Sequence, residues 1–168
     1  MAGKALQPRV DIVRIYALTA LLLPGCLDLG GPERVDFSSE WHFNAETSQL
    51  GLRDLEGLEV AVLRIGHREP TFALRRTFVL GGQESHVSFE LTADGVEREM
   101  QQGDRTLFSR LQWDGDALIF TARIPGNAGE AVNRVAYRLR DEGRVLKAEG
   151  RFQGPDMDYE NLWGFDQQ

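Results

Sequence analysis

Two arginines lie within runs of alternating apolar residues. Arg76 lies between Leu74 and Phe78, and Arg98 has the same spacing from Met100. Residues two apart in a β-strand face the same side of the sheet, so each arginine shares a side with apolar neighbours. A buried charge must be paired or solvated, and a guanidinium group suits a bidentate grip on a carboxylate. The pattern therefore predicts two cations on the inner face of a sheet.

Other hydrogen-bonding residues share this inward parity: Asn133, Tyr137, Tyr159 and Asn161. An apolar cavity with a few convergent polar groups is the usual form of a small-ligand site. We therefore predict a lumen that binds a lipophilic acid, with Arg76 and Arg98 on its head group. Two alternatives stay open, because a one-residue slip in register reverses the facing of a strand. In the first alternative a β-bulge turns the arginines outward. In the second the polar groups form a structural network that fills a closed core.

Regular turn signals separate the alternating runs, among them Gly81-Gly82, Asp94-Gly95 and Asp114-Gly115. Period-2 alternation between such turns is typical of half-buried antiparallel strands, and we count roughly ten of them. Nearly every connection is short, which favours a barrel over a sandwich. The predicted fold class is all-β: a single antiparallel up-and-down β-barrel of about 8–10 strands, preceded by an N-terminal signal or anchor helix.

Residues that could support catalysis do not form a recognisable motif. The three histidines, His42, His67 and His86, lack the spacing of metal ligands. No serine lies in a nucleophile-elbow context, and no Gly-rich loop precedes a helix. We therefore expect no metal, no cofactor and no catalysis. An enzymatic alternative stays open only because barrels can host isomerases and cyclases, and fold does not imply function.

The N-terminal segment has the plan of a secretory signal. Residues 1–14 carry Lys4, Arg9 and Arg14, and residues 15–24 are uncharged and mostly apolar. A positive start followed by a short apolar core is typical of such signals. A run of ten residues is too short for a transmembrane helix, which needs about 20.

The end of this segment resembles a bacterial lipoprotein signal at Leu23, Gly25 and Cys26. The resemblance implies lipidation of the Cys26 thiol, cleavage before it, and anchoring in the outer membrane. Plain secretion and retention inside the cell are the alternatives. We predict a signal peptide over residues 1–25, a lipidated cysteine and flexible tether over 26–35, and a barrel domain over 36–168.

The charge balance excludes some classes of partner. Removal of residues 1–25 leaves 16 basic and 25 acidic residues, a net charge of −9. Nucleic-acid binding depends on neutralising phosphates, so we expect no nucleic-acid partner. Adsorption to anionic lipid through charge is excluded for the same reason. We expect a lipophilic small molecule as partner and a membrane contact through the N-terminal lipid.

The barrel region resembles bacterial lipocalin-like domains of unknown function. The resemblance lies in an opening run, a central hairpin and a closing strand: Trp41, Asn44 and Ser48; Trp113-Asp114-Gly115-Asp116 with Leu118; and 159–165. It implies a barrel able to hold a lipophilic ligand, with Trp41 plugging its base, and it carries no catalytic residues. The alternative function is an envelope structural or interaction module with a filled core.

Overall fold

The described part of the chain forms one antiparallel sheet of eleven strands. The computed structural model describes residues 34–51 and 57–168. The strands are β1 (Ser39–Phe43), β2 (Gln49–Leu50), β3 (Leu58–Arg68), β4 (Thr71–Leu80), β5 (Gln83–Thr92), β6 (Arg98–Gln102), β7 (Arg105–Asp114), β8 (Ala117–Gly126), β9 (Gly129–Arg140), β10 (Val145–Gln153) and β11 (Asp158–Gln167). Two short 3-10 helices occupy Ala45–Thr47 and Asp141–Gly143.

Strands that follow one another in sequence lie side by side along most of the sheet. The hydrogen-bonded order is β5-β4-β3-β1-β11-β10-β9-β8-β7-β6, and β2 pairs with β11 off this path. Short turns produce this order because a short connection reaches only the adjacent antiparallel strand. The predicted all-β, up-and-down barrel fold of about ten strands is confirmed. Its N-terminal signal or anchor helix lies outside the described residues.

Strand β1 is the exception to the sequential order, because it pairs with both β3 and β11. Trp41 lies opposite Leu63 on one side and Gln167 on the other. Between β5 and β6 the described residues form no ladder, so the sheet curls into a barrel with a seam instead of closing fully. The connection between these two strands bonds to β7, where the Gly95 amide donates to the Leu111 carbonyl at 2.9 Å.

The alternation seen in the sequence separates an inner face from an outer face. In β3, Ala61, Leu63 and Ile65 are buried, whereas the residues between them are more exposed. The hairpin between β4 and β5 turns at Gly81 and Gly82, whose φ angles of 55° and 73° suit residues without a Cβ. The buried apolar side chains of all the long strands thus meet inside the barrel.

Aromatic side chains close one end of the barrel. Phe37 is fully buried and stacks on Trp113, with ring centroids 5.9 Å apart and planes 28° apart. Phe72 meets Phe37 edge-on at 6.2 Å. Trp41, 1% exposed, donates from Nε1 to the Phe37 carbonyl at 3.0 Å. The structure therefore places Trp41 at the closed base.

The segment that follows β1 lies on the outer face of β11. The Asn44 amide donates to the Gly164 carbonyl at 2.8 Å, and the Lys147 ammonium group donates to the Thr47 carbonyl at 2.7 Å. Strand β2 then pairs with the beginning of β11, where Leu50 lies opposite Asn161. Gly164 permits this close approach because it has no side chain.

The predicted signal peptide, residues 1–25, and Cys26 lie outside the described residues. Of the predicted tether, Arg34 and Val35 are described. The Arg34 guanidinium lies over the Trp113 ring at 4.8 Å and donates to the Gly115 carbonyl at 3.3 Å. These contacts hold the start of the barrel domain against the closed base. Within the described residues, no helix has the length and apolar character needed to cross a membrane.

We expect the Gly164→Ala substitution to destabilise the protein by about 1–3 kcal/mol, the usual effect of overpacking. A Cβ at position 164 would collide with the Thr47 side chain and lie 2.9 Å from its carbonyl oxygen. Urea unfolding followed by tryptophan fluorescence measures the change. Gly66→Ala is the matched control, since a Cβ there meets nothing within 4 Å. Equal free energies of unfolding for the two variants would contradict the packing described for Thr47.

Candidate functional site

The lumen contains two adjoining cavities of about 220 and 300 Å³. The smaller one, the β11 lobe, extends along β10 and β11 to Trp163 and Phe165. The larger one, the β8 lobe, extends across β5 to β8 and is lined by Phe89 and Phe120. The two lobes share six lining residues: Leu63, Arg76, Asn133, Val135, Tyr137 and Tyr159. Side chains therefore do not fill the core completely, which argues against the filled-core alternative.

Arg76 lies in the middle of β4 and faces the lumen, as the parity predicted. Its guanidinium lies 4.5 Å from the centre of the Phe78 ring. No carboxylate of the described residues lies within 4.0 Å of this guanidinium, the distance that would allow an ion pair. Burial lowers the pKa of Arg76 below its usual value, although the neighbouring Tyr137 and Tyr159 act in the opposite direction. An arginine stays protonated even when it is desolvated, so the lumen holds a positive charge without an anionic partner among the described residues.

Two tyrosines supply hydroxyl donors beside this charge. Tyr137 is 7% exposed and lines both lobes. Burial raises the pKa of Tyr137 to about 12, although Arg76 acts in the opposite direction. Burial also raises the pKa of Tyr159, whose ring stacks on Phe152 at 5.2 Å. Both hydroxyls therefore remain protonated at neutral pH and can donate to an anion.

Two asparagines complete the polar part of the lumen. Asn161 is 8% exposed, and its Oδ1 accepts a hydrogen bond from the Gly51 amide at 2.6 Å. This bond fixes the amide orientation and leaves Nδ2 as a donor for another partner. Asn133 is half-buried and lines both lobes. Among the described residues no Asp or Glu lines either lobe, so the charged and hydroxyl groups here favour a ligand with hydrogen-bond acceptors.

Arg98 does not join this group, and its predicted place on the ligand head group is wrong. It has the parity of Met100 and Gln102, which line the β8 lobe, but it is the first residue of β6. Its guanidinium makes a bidentate pair with Asp94, at 2.8 Å from Nη1 and 2.6 Å from Nη2. The turn before the strand therefore holds this side chain exposed to solvent.

The sequence interpretation missed an aromatic wall in the β11 lobe. Phe78 stacks on Trp163 with ring centroids 5.3 Å apart, and Trp163 stacks on Phe165 at 6.2 Å. All three residues have the inward parity in the sequence. Their parity indicated burial but gave no sign that they border a cavity, because the cavity arises between strands that are distant in sequence.

A larger groove of about 780 Å³ lies outside the barrel, over Gln49–Gly51 and the outer faces of β10 and β11. Its charged side chains are exposed, and two of them, Arg151 and Glu160, form an ion pair at 3.5 Å. An open surface groove offers a ligand little burial. Over residues 34–51 and 57–168, no group of three or more His, Cys, Asp or Glu is placed to hold a metal ion. The lumen is therefore the candidate site.

Solved structures with this fold are similar to the chain at low sequence identity. Secretory abundant heat soluble protein 4 from Ramazzottius varieornatus has a TM-score of 0.59 at 14% identity, over 82% of this chain and 99% of that chain. The REP1-NXSQ fatty acid transporter has a TM-score of 0.53 at 13% identity, over 78% and 95%. Human cRBP IV has a TM-score of 0.53 at 16% identity, over 80% and 99%. The fold is lipocalin-like.

Comparison of sequences adds no family to this result. No protein-family model matches the chain, and no curated protein sequence matches it. Identities of 13–16% establish a shared fold, because fold outlasts sequence similarity, but they carry no residue roles. The chemistry of the lumen must therefore be argued from its own residues.

We expect the free energy of unfolding to fall at alkaline pH because of Tyr137. Burial raises its pKa to about 12 in the folded protein, against about 10 in the unfolded chain. Between these values the folded protein keeps a proton that the unfolded chain has lost, so stability falls as the pH rises. By about pH 11 the loss is on the order of 1 kcal/mol.

Urea unfolding at about pH 9 and about pH 11 measures this loss in the wild type and in Tyr137→Phe. The variant lacks the titrating hydroxyl and should lose less stability over the interval. Tyr159→Phe is the control, because Tyr159 is less buried and should contribute less. An identical pH dependence in wild type and Tyr137→Phe would contradict the buried position of this hydroxyl.

Proposed function

We propose that the chain binds a small lipophilic acid in its lumen and does not catalyse a reaction. The observation that carries the proposal is Arg76, a charge in an apolar lumen without a carboxylate partner among the described residues. Two protonated hydroxyls, of Tyr137 and Tyr159, adjoin the same space. A carboxylate at this point would supply the missing countercharge and accept their hydrogen bonds.

The rest of the lumen supports binding of the apolar part of such a ligand. Apart from the polar groups already described and Gln102, the lining is aliphatic and aromatic. No His, Cys, Ser, Asp or Glu of the described residues lines the lobes, so the side chains most often used as nucleophile or general base are not placed there. One protein with a similar fold is named a fatty acid transporter, which is consistent with a lipophilic acid as ligand.

The Arg76→Gln substitution should weaken binding of hexadecanoic acid by about 10- to 100-fold, since a hydrogen bond to a charged group contributes about 1.5–3 kcal/mol. Binding of the methyl ester, which carries no charge, should change much less. Calorimetric titration of the folded protein with each compound measures both effects.

Arg75→Gln is the matched control for this experiment. Arg75 is the next residue along β4, is exposed on the outer face, and carries the same charge. The control should bind the acid as the wild type does. If the two variants weaken acid binding equally, the effect comes from net charge, and the proposed role of Arg76 is wrong.

We further propose that a lipid on Cys26 anchors the barrel to the outer membrane. The support is the lipoprotein-like pattern of Leu23, Gly25 and Cys26, followed by an acidic domain that has no charge-based affinity for anionic lipid. One acyl chain anchors a protein only marginally, whereas the several chains of a lipoprotein modification anchor it stably.

Metabolic labelling with a palmitate analogue in a bacterial host tests this anchor. The wild type should carry the label and sediment with membranes, and Cys26→Ser should lose both properties. The chain contains a single cysteine, so no other thiol can take the lipid. An unlabelled wild-type protein in the soluble fraction would favour plain secretion instead.

A further inference from the structure

The polar groups of the lumen lie where its two lobes meet. Arg76, Asn133, Tyr137 and Tyr159 line both lobes, whereas the residues found in only one lobe are mostly apolar. A head group bound to Arg76 therefore lies at a junction, with an apolar space on each of two sides. A binding site for an unbranched acid would need only one apolar space leading away from the charge.

The β11 lobe has an aromatic wall. The Arg76 guanidinium lies over Phe78, which stacks on Trp163 with the ring planes 18° apart. Phe165 continues the stack at 6.2 Å from Trp163. Ala148 and Gly150, which pair with Trp163 and Asn161 across the β10–β11 ladder, also line this lobe and occupy little of it. This lobe suits a short apolar group of the ligand.

The β8 lobe is bounded by side chains from different strands. Phe89 of β5 stacks on Phe120 of β8, with ring centroids 5.4 Å apart and planes 12° apart. Leu107, Met100 and Ala122 complete much of its apolar lining. This lobe is the larger of the two, at about 300 Å³ against about 220 Å³. It suits a longer apolar group.

The volumes also favour a ligand that occupies both lobes. Pockets for drug-sized ligands have volumes of about 300–1,000 Å³. The β11 lobe lies below this range, and the β8 lobe is at its lower limit. A ligand confined to one lobe would leave the other to water beside apolar walls, which is unfavourable.

We propose that the ligand is a branched lipophilic acid with two apolar arms, whose carboxylate lies between them on Arg76. The shorter arm occupies the β11 lobe and the longer arm occupies the β8 lobe. The inference rests on the proposed function, because it takes the acid site at Arg76 as given, and it adds the shape of the ligand.

An isomeric pair of probes tests the shape. Hexadecanoic acid and 2-hexyldecanoic acid have the same atoms, but the carboxylate of the second lies between a shorter and a longer chain. Each additional methylene group buried from water contributes a factor of about four in affinity. We expect the branched acid to bind more than about tenfold more tightly in calorimetric titrations, because it buries chain in both lobes.

Two substitutions reduce one lobe each. Gly150→Val fills part of the β11 lobe, where an added Cβ meets nothing closer than 3.8 Å. Ala122→Val fills part of the β8 lobe. Ala122 lines only the β8 lobe, and Gly150 lines only the β11 lobe. Both variants should bind the branched acid more weakly than the wild type, and only one of them should weaken the linear acid. Thermal melts of each variant verify that it is folded, and alanine at position 150 is the milder replacement if valine is not tolerated.

The outcomes separate this inference from the proposed function. If the linear acid binds as tightly as the branched acid, with Arg76→Gln weakening both, the acid site stands and the two-armed shape is wrong. The shape is also wrong if only one of the lobe variants affects the branched acid. If neither acid binds, or if binding is unaffected by Arg76→Gln, the proposed function itself is overturned.

Discussion

The five residues of β1 hold the two parts of the sheet together. Strands β3–β5 form one ladder and β6–β11 form another, and in the described part of the chain β1 pairs with both. The lumen depends on this pairing, because Arg76 comes from the first ladder whereas Tyr137 and Tyr159 come from the second. Trp41, opposite Leu63 in β3, anchors the strand by burying its indole at the base.

Much of the fold could be predicted from local patterns. The alternation in β3, β7 and β10 and the glycine turns determine strand after strand, and short connections leave little choice of neighbour. The place of β1 and the seam between β5 and β6 could not be predicted in this way. They depend on pairings between residues far apart in sequence, such as Trp41 with Gln167, and on a connection that bonds to β7 instead of β5.

The candidate site shows the same limit at the level of single residues. Arg76 and Arg98 have the same apolar spacing, yet the first lies in mid-strand with no nearby acid and the second begins a strand beside Asp94. Parity predicts the side of the sheet, but the partner within reach determines where a long side chain goes. The parity of Tyr137 indicates the face of the sheet that lines the lumen, whereas the division of the lumen into two lobes depends on the packing of distant strands.

The seam between β5 and β6 has a mechanical consequence. At the closed end it is fastened by the Gly95–Leu111 hydrogen bond and by the ion pair of Arg98 with Asp94. Elsewhere the described residues form no ladder between β5 and β6, and aromatic contacts such as that of Phe89 with Phe120 lie beside the seam. Separation of these two strands would therefore break side-chain contacts but no ladder hydrogen bond of the described sheet.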